Sequence, residues 1–257
     1  MKRIQLNSLI AVTGMIIMSM MLSLQGIGQA KKPVVKKSTP RVITKGGSAK
    51  RTVVPVKQKI NPMYHNQVRI TTDSGVIVVA LYDSTPLHRD NFLKLVKAGF
   101  YDSLLFHRVI PQFMIQGGDP LSKNAAPGIQ LGSGGDDMER IPAEFNTAFY
   151  HKKGALAAAR DGNPEKKSSA CQFYIVEGKV FTDAQIDMLE KSKGIKYTPE
   201  QRKMYTTVGG TPHLDQQYTV FGEVLSGLEV IHKIATAPRD AMDRPLGDVH
   251  MKMEVIK

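Results

Sequence analysis

The chain has 257 residues, with 35 Lys+Arg against 23 Asp+Glu, 42% apolar residues, one Cys and no Trp. That apolar share excludes a wholly disordered chain, and a single Cys excludes a fold stapled by internal disulfides. The net charge of +12 sits at one end: the first 72 residues hold 13 Lys+Arg and no acid, leaving 22 basic against 23 acidic residues beyond them. The remainder therefore has no surplus of cations to offer phosphates, and nucleic acid is not an expected partner. The His residues are scattered, with no pair at ligand spacing, so neither a metal nor another cofactor is expected.

In chain order, Met1-Lys2-Arg3 precedes an apolar run from Ile10 to Leu24, and Gly28-Gln29-Ala30 puts small residues at the −3 and −1 positions of a cleavage site. Residues 1–30 read as a secretory signal peptide, with the periplasm as the expected destination. The apolar run is shorter than the roughly 20 residues of a spanning helix, and retention as an anchor is the other reading. Residues 31–63 are Lys-rich, punctuated by Pro33, Pro40, Pro55 and Pro62, and carry no acid. They read as a basic, unfolded tether, with weak electrostatic contact to an anionic envelope as the alternative.

Residues 64–257 are long enough for one well-buried core, expected to act as a monomer. Val68–Thr72 alternates, Asp73-Ser74-Gly75 turns, and Val76–Leu81 resumes, which predicts a hairpin. Thr85-Pro86 caps a helix, with Pro at its first position, in which Phe92, Leu95 and Val96 keep helical spacing and which Gly99 stops. Further strands are expected at Gln172–Val176, Thr219–Val224 and Val249–Ile256, and a second helix at Leu228–Ala235. Short strands, turn residues and two helices predict a mainly β protein: a closed barrel capped by helices. Cys171, inside the apolar run Ala170–Val176, reads as a buried strand residue.

Residues 106–119 read FHRVIPQFMIQGGD, a run with one fixed cation (Arg108), one amide beside the Gly pair (Gln116) and no Ser, Thr, Cys or Lys. Pro111 separates Val109-Ile110 from Phe113-Met114-Ile115 and withholds a ladder N–H, which predicts two short strands with a kink between them. Alternation sends Arg108 and Ile110 to one face and Val109 to the other. Gly117-Gly118 permits a tight turn. Such a run can bind and polarise a substrate but is poorly equipped to break a covalent bond. An ordinary core hairpin with a surface arginine fits the same residues. His107 reads as structural.

This run closely resembles the signature of the cyclophilin family of peptidyl-prolyl cis-trans isomerases, F-H-R-V-I-P-x-F-M-I-Q-G-G-D. Two further blocks resemble the family in the same order. Gly154–Asp161 with Ser169–Ile175 is similar to G-x-L-x-M-A followed by S-Q-F-F-I, and Thr211–Gly222 to x-x-x-L-D-G-x-x-x-V-F-G. The resemblance implies an eight-stranded antiparallel cyclophilin-like barrel with two capping helices. It also implies catalysis of X-Pro rotation in proline-containing polypeptides, with Arg108 as the catalytic group. Phe113, Met114, Tyr174 and Leu214 would wall a proline pocket. Gln116, Ala159, Arg160, Gln172, His213 and Tyr218 would complete the substrate-binding set, with Ala159 exposing backbone to the substrate. Tyr174 stands where the family often has Phe, His213 where many eukaryotic members have Trp, Tyr218 in place of a frequent His, and Arg160 in place of a frequent Asn.

Residues 182–208 depart from the shorter family pattern. Thr182-Asp183-Ala184-Gln185 and Thr198-Pro199-Glu200-Gln201 each resemble a capping box, so the segment reads as an inserted helical hairpin on the surface. It is either a passive extension or a wall of the substrate groove. The activity reading also has a rival: a cyclophilin-fold holding chaperone that binds unfolded chains with little turnover.

Overall fold

The computed structural model describes residues 66–257, so the signal peptide and tether readings fall outside the described residues. Eight antiparallel strands form one sheet: β1 (Gln67–Thr72), β2 (Gly75–Leu81), β3 (Phe106–Ile110), β4 (Met114–Gly117), β5 (Ala155–Ala158), β6 (Phe173–Val176), β7 (Val220–Ser226) and β8 (Met251–Val255). Their order across the sheet is β3-β4-β6-β5-β7-β2-β1-β8. Four helices accompany them: α1 (Pro86–Lys97), α2 (Asp183–Lys193), α3 (Pro199–Thr207) and α4 (Leu228–Ala235). The two outer helices lie where the spacing predicts them, with α1 against β7 and β8 and α4 against β2, β3 and β4.

The expected closed barrel is an open half-barrel. Its edge strands β3 and β8 meet through the isolated Leu105–His250 bridge and bonds beside it, Phe106 N–H to Val249 O and Met251 N–H to Leu104 O, each 2.9 Å. Further along β3, Val109 N–H donates instead to Asp243 O at 2.8 Å. The loop carrying Asp243 thus takes the edge that a continuing ladder would need.

The two sheet faces carry different clusters. Phe92, Tyr101, Phe106, Phe173 and Phe221 meet inside, where Phe92 contacts Phe173 and Phe221 edge-on at 5.6 and 5.4 Å. The outer face of β4, β5 and β6 carries Met114, Ala155, Ala157, Tyr174 and Val176, covered by Phe113, Leu214 and Tyr218. All four residues of β5 and all four of β6 are buried, because both faces are covered. Alternation along β6 sends Phe173 and Ile175 inward and Tyr174 and Val176 outward.

Two local expectations are corrected. Thr85 is the residue before α1 but makes no side-chain cap. The Glu144 carboxylate instead accepts from the Leu87 and His88 N–H groups, both at 3.0 Å, completing the first turn from a distant loop. Cys171 is buried but precedes β6 rather than belonging to it, and burial pushes its thiol up to about 11. Gly118, at φ +93°, is required: a Cβ there would sit 2.2 Å from the Cys171 carbonyl oxygen.

Candidate active site

Register assembles the site. Arg108 on β3 lies opposite Gln116 on β4, Gln116 opposite Tyr174 on β6, and Tyr174 opposite Ala157 on β5. Directly opposed residues share a face, so the run of expected site residues crosses neighbouring strands on the outer surface. The turn between β3 and β4 supplies the next wall. Gln112 sits at φ +60° with its N–H donated to the Glu177 carboxylate, and the Phe113 carbonyl accepts from the N–H groups of Glu177 and Gly178 at 3.0 and 3.1 Å. These bonds fix Phe113 over the sheet.

The result is a cavity of about 100 Å³ lined by Arg108, Phe113, Met114, Gln116, Ala159, Arg160, Tyr174, Leu214 and Tyr218. All nine are residues the sequence reading places in the site. Gln172 and His213 are one step out. Gln172 backs Gln116, and His213 stacks on Phe113 with ring centres 5.6 Å apart and planes 25° apart. The Ala159 N–H donates to Gln172 O at 2.9 Å, and its carbonyl accepts from Ser169 N–H at 2.8 Å. Its backbone is engaged within the protein.

Arg108 is held loosely and from two sides. One Nη donates to Gln116 Oε1 at 3.4 Å, and Nε lies 3.9 Å from Asp243 Oδ2. A guanidinium has five N–H donors, so most of its capacity stays available at the cavity rim, where the side chain is 42% exposed. Gln116 is aimed in turn: its Nε2 donates to Gln172 Oε1 at 3.1 Å, and Gln172 Nε2 donates to the Gly132 and Gly134 carbonyls, both at 2.9 Å. Arg160 donates to Gln217 O at 2.9 Å and lies over the Tyr218 ring, 4.7 Å from its centre.

Behind the pocket is a buried polar chain that sequence reasoning missed. Tyr174 Oη lies 2.8 Å from His151 Nε2, and His151 Nδ1 lies 2.8 Å from Asp215 Oδ1. Asp215 Oδ1 also accepts the His151 N–H at 2.8 Å, and Oδ2 accepts from Tyr205 Oη on α3 at 2.6 Å. Burial, reinforced by nearby Asp215, holds both tyrosine hydroxyls far above their ordinary range, so they act as donors. With Nδ1 directed at the carboxylate, Nε2 is left to accept from Tyr174. Asp215 stands in the L-D pair of the third block, which is a usable signal; His151 and Asp243 have none.

His107 is buried, and neither ring nitrogen has a hydrogen-bond partner among the described residues. Burial pushes its pKa down from 6.5 to about 4, with Arg108 and Arg244 adding to that and Asp119 opposing it. The ring is therefore neutral at pH 7. Because the unfolded chain takes up the proton first, the stability this site contributes is complete above pH 6.5 and is lost as pH falls toward 4. A shift of that size corresponds to about 3 kcal/mol. Thermal melts at pH 7 and pH 4.5 are expected to show the loss, and H107L is expected to flatten its share of the slope. An unchanged slope in H107L would assign the acid sensitivity to other groups.

The site is an outward-facing cavity with aromatic and aliphatic walls, a guanidinium at its rim and no Ser, Thr, Cys or Lys on its lining. Comparison with known proteins gives the family. The family described as Cyclophilin type peptidyl-prolyl cis-trans isomerase/CLD matches residues 67–255. The chain is 36% identical over 188 residues to a Streptococcus pyogenes protein named as a bifunctional phosphatase/peptidyl-prolyl cis-trans isomerase, covering 71% of this chain and 37% of that longer protein. It is 33% identical over 190 residues to a Staphylococcus haemolyticus protein named as a peptidyl-prolyl cis-trans isomerase, covering 72% of this chain and 88% of that one. A Cryptosporidium parvum cyclophilin type isomerase shares the fold, with a TM-score of 0.54 at 23% identity over 75% of this chain and 98% of its own. The chain belongs to the cyclophilin-type peptidyl-prolyl cis-trans isomerase family, and it is an enzyme of that kind.

Proposed function

We propose that this enzyme accelerates X-Pro rotation in folding or flexible exported polypeptides through Arg108 and without a covalent intermediate. The observation that carries the reading is the Arg108 guanidinium, set by Gln116 and Asp243 at the rim of an apolar cavity and left with unused donors. The barrier to rotation is roughly 18–20 kcal/mol and comes from lost amide resonance. As the amide twists, the prolyl nitrogen becomes pyramidal and basic. A fixed cation that donates to it, or to the carbonyl, favours the twisted state over the planar one. Phe113, Met114, Leu214 and the Tyr174 ring hold the pyrrolidine without requiring hydrogen bonds from it. No proton has to move, which agrees with the neutral His107.

An exported location is supported by the basic start, the Ile10–Leu24 run and the Gly28-Gln29-Ala30 site. The test is cis-trans exchange of an Ala-Pro tetrapeptide, read by NMR line shape or a protease-coupled assay. Added protein is expected to raise the exchange rate in proportion to its concentration. Exchange at the uncatalysed rate, with aggregation of an unfolded client still suppressed, would establish the holding-chaperone reading instead.

A further inference from the structure

Segment 182–208 is built onto the active site rather than appended to it. Both of its helices open with complete capping boxes, at Thr182/Gln185 and Thr198/Gln201. Arg202 on α3 pairs with Asp183, Asp187 and Glu190, successive turns of α2. Ile186, Tyr197 and Tyr205 form a small core of their own. Four bonds then tie this unit to the segment carrying Leu214: Tyr197 Oη to Pro212 O at 3.0 Å, Lys193 Nζ to Asp215 O at 3.0 Å and to Pro212 O at 3.5 Å, and Tyr205 Oη to Asp215.

Between α2 and the proline cavity lies a second cleft of about 430 Å³, lined on the helix side by Phe181, Met188 and Leu189 and on the other by Thr211 and His213. His213 is the partition, since its ring lines this cleft and stacks on Phe113, which lines the proline cavity. Burial, with His151 and Lys193 adding to it, holds His213 below its ordinary range and leaves the partition uncharged at neutral pH. Met188 is 64% exposed, an apolar side chain standing open at the mouth. Thr211 is buried, and its hydroxyl has no hydrogen-bond partner among the described residues.

We propose that this cleft is a subsite for an apolar side chain of the same polypeptide substrate, two or three residues from the proline. The inference rests on the isomerase reading above. Two observations support it. The cleft adjoins the proline cavity, with the stacked pair of Phe113 and His213 as the shared wall. Its exposed surface is mostly apolar and preformed, as ligand sites generally are, with Lys179, Gln112 and Gln185 also on the wall.

The experiment compares an Ala-Pro tetrapeptide with peptides extended by a leucine two or three places from the proline, on either side, using wild type and M188E. The short peptide does not reach the cleft and is the internal reference in both proteins. Wild type is expected to show a KM about tenfold lower for the peptide extended on one side, with kcat little changed. M188E is expected to lose most of that gain. A tetrapeptide left at the solvent rate would overturn the isomerase reading itself. A tetrapeptide that is turned over, with neither extension lowering KM or with the gain intact in M188E, would overturn only the subsite. Sedimentation separates the other occupant: if M188E dissociates a dimer and the extension gain survives, the cleft is a self-contact and the inference fails.

Discussion

Arg108→Ala is expected to lower kcat/KM for an Ala-Pro peptide by about 10²–10³, the usual consequence of removing one preset donor to a developing charge. The loss should fall on kcat more than on KM, because the apolar walls remain and the cation acts mainly on the twisted amide. Stability should change little. The side chain is 42% exposed, its one hydrogen bond is 3.4 Å long, and its nearest carboxylate is 3.9 Å away. Arg108→Lys is expected to recover only a minor part, since an ammonium has neither the planar fork nor the reach to sit between Gln116 and the substrate. Circular dichroism and a thermal melt check the fold, and NMR exchange checks the rate. An Arg108→Ala protein that exchanges the peptide at the wild-type rate would remove Arg108 from the mechanism and leave the cavity walls alone to explain catalysis.

The largest effect on stability is expected from Asp215→Ala. Asp215 is buried and satisfies the His151 backbone N–H, the His151 ring and the Tyr205 hydroxyl. Removing its carboxylate strands those groups away from water and leaves a small void. Three buried donors left without an acceptor, at about 1–3 kcal/mol each, put the cost at about 3–5 kcal/mol, or roughly 10 °C in Tm for a domain of this size. Tyr205→Phe removes one bond and keeps the ring in its packing, so it should cost about 1–2 kcal/mol. The graded pair separates the carboxylate's contribution from that of α3. Activity should fall in Asp215→Ala as well, because His151 is what fixes Tyr174 at the back of the cavity. A Tm for Asp215→Ala within about 2 °C of wild type would mean that water replaces the carboxylate and that the chain carries no net stability.

The readable parts of this fold are those whose signal is local. The hairpin of β1 and β2 follows from alternation around Asp73-Ser74-Gly75, and the kink at Pro111 separates β3 from β4 as its missing N–H requires. Arg108 and Ile110 are partly exposed while Val109 is fully buried, as a period of two demands. Both capping boxes of the 182–208 pair form as their spacing predicts. Strand β5 went unread for a physical reason. Ala155–Ala158 is alanine-rich, a composition with weak strand preference, and both its faces are covered, so there is no alternation to detect. Small residues suit a strand that passes beneath a cavity, but only the neighbours β6 and β7 make that visible. The cap on α1 was misassigned to Thr85 because Glu144, which supplies it, lies 57 residues away from Leu87.

The sequence by itself determined the chemistry on offer: one fixed cation, apolar side chains, the Gln116 amide, and no Ser, Thr, Cys or Lys in the run from Phe106 to Asp119. It did so because that run is contiguous and each residue type limits what it can do. Tertiary structure alone decided how those groups are held. It put Asp243 beside Arg108, ran His151 and Asp215 behind Tyr174, left the β3 edge to the Asp243 loop, and set α2 across a cleft from His213. These are single contacts between residues far apart in the chain. Hydrogen bonds and packing of that kind depend on position in space, carry no period or spacing, and come into being only when the sheet brings their partners together.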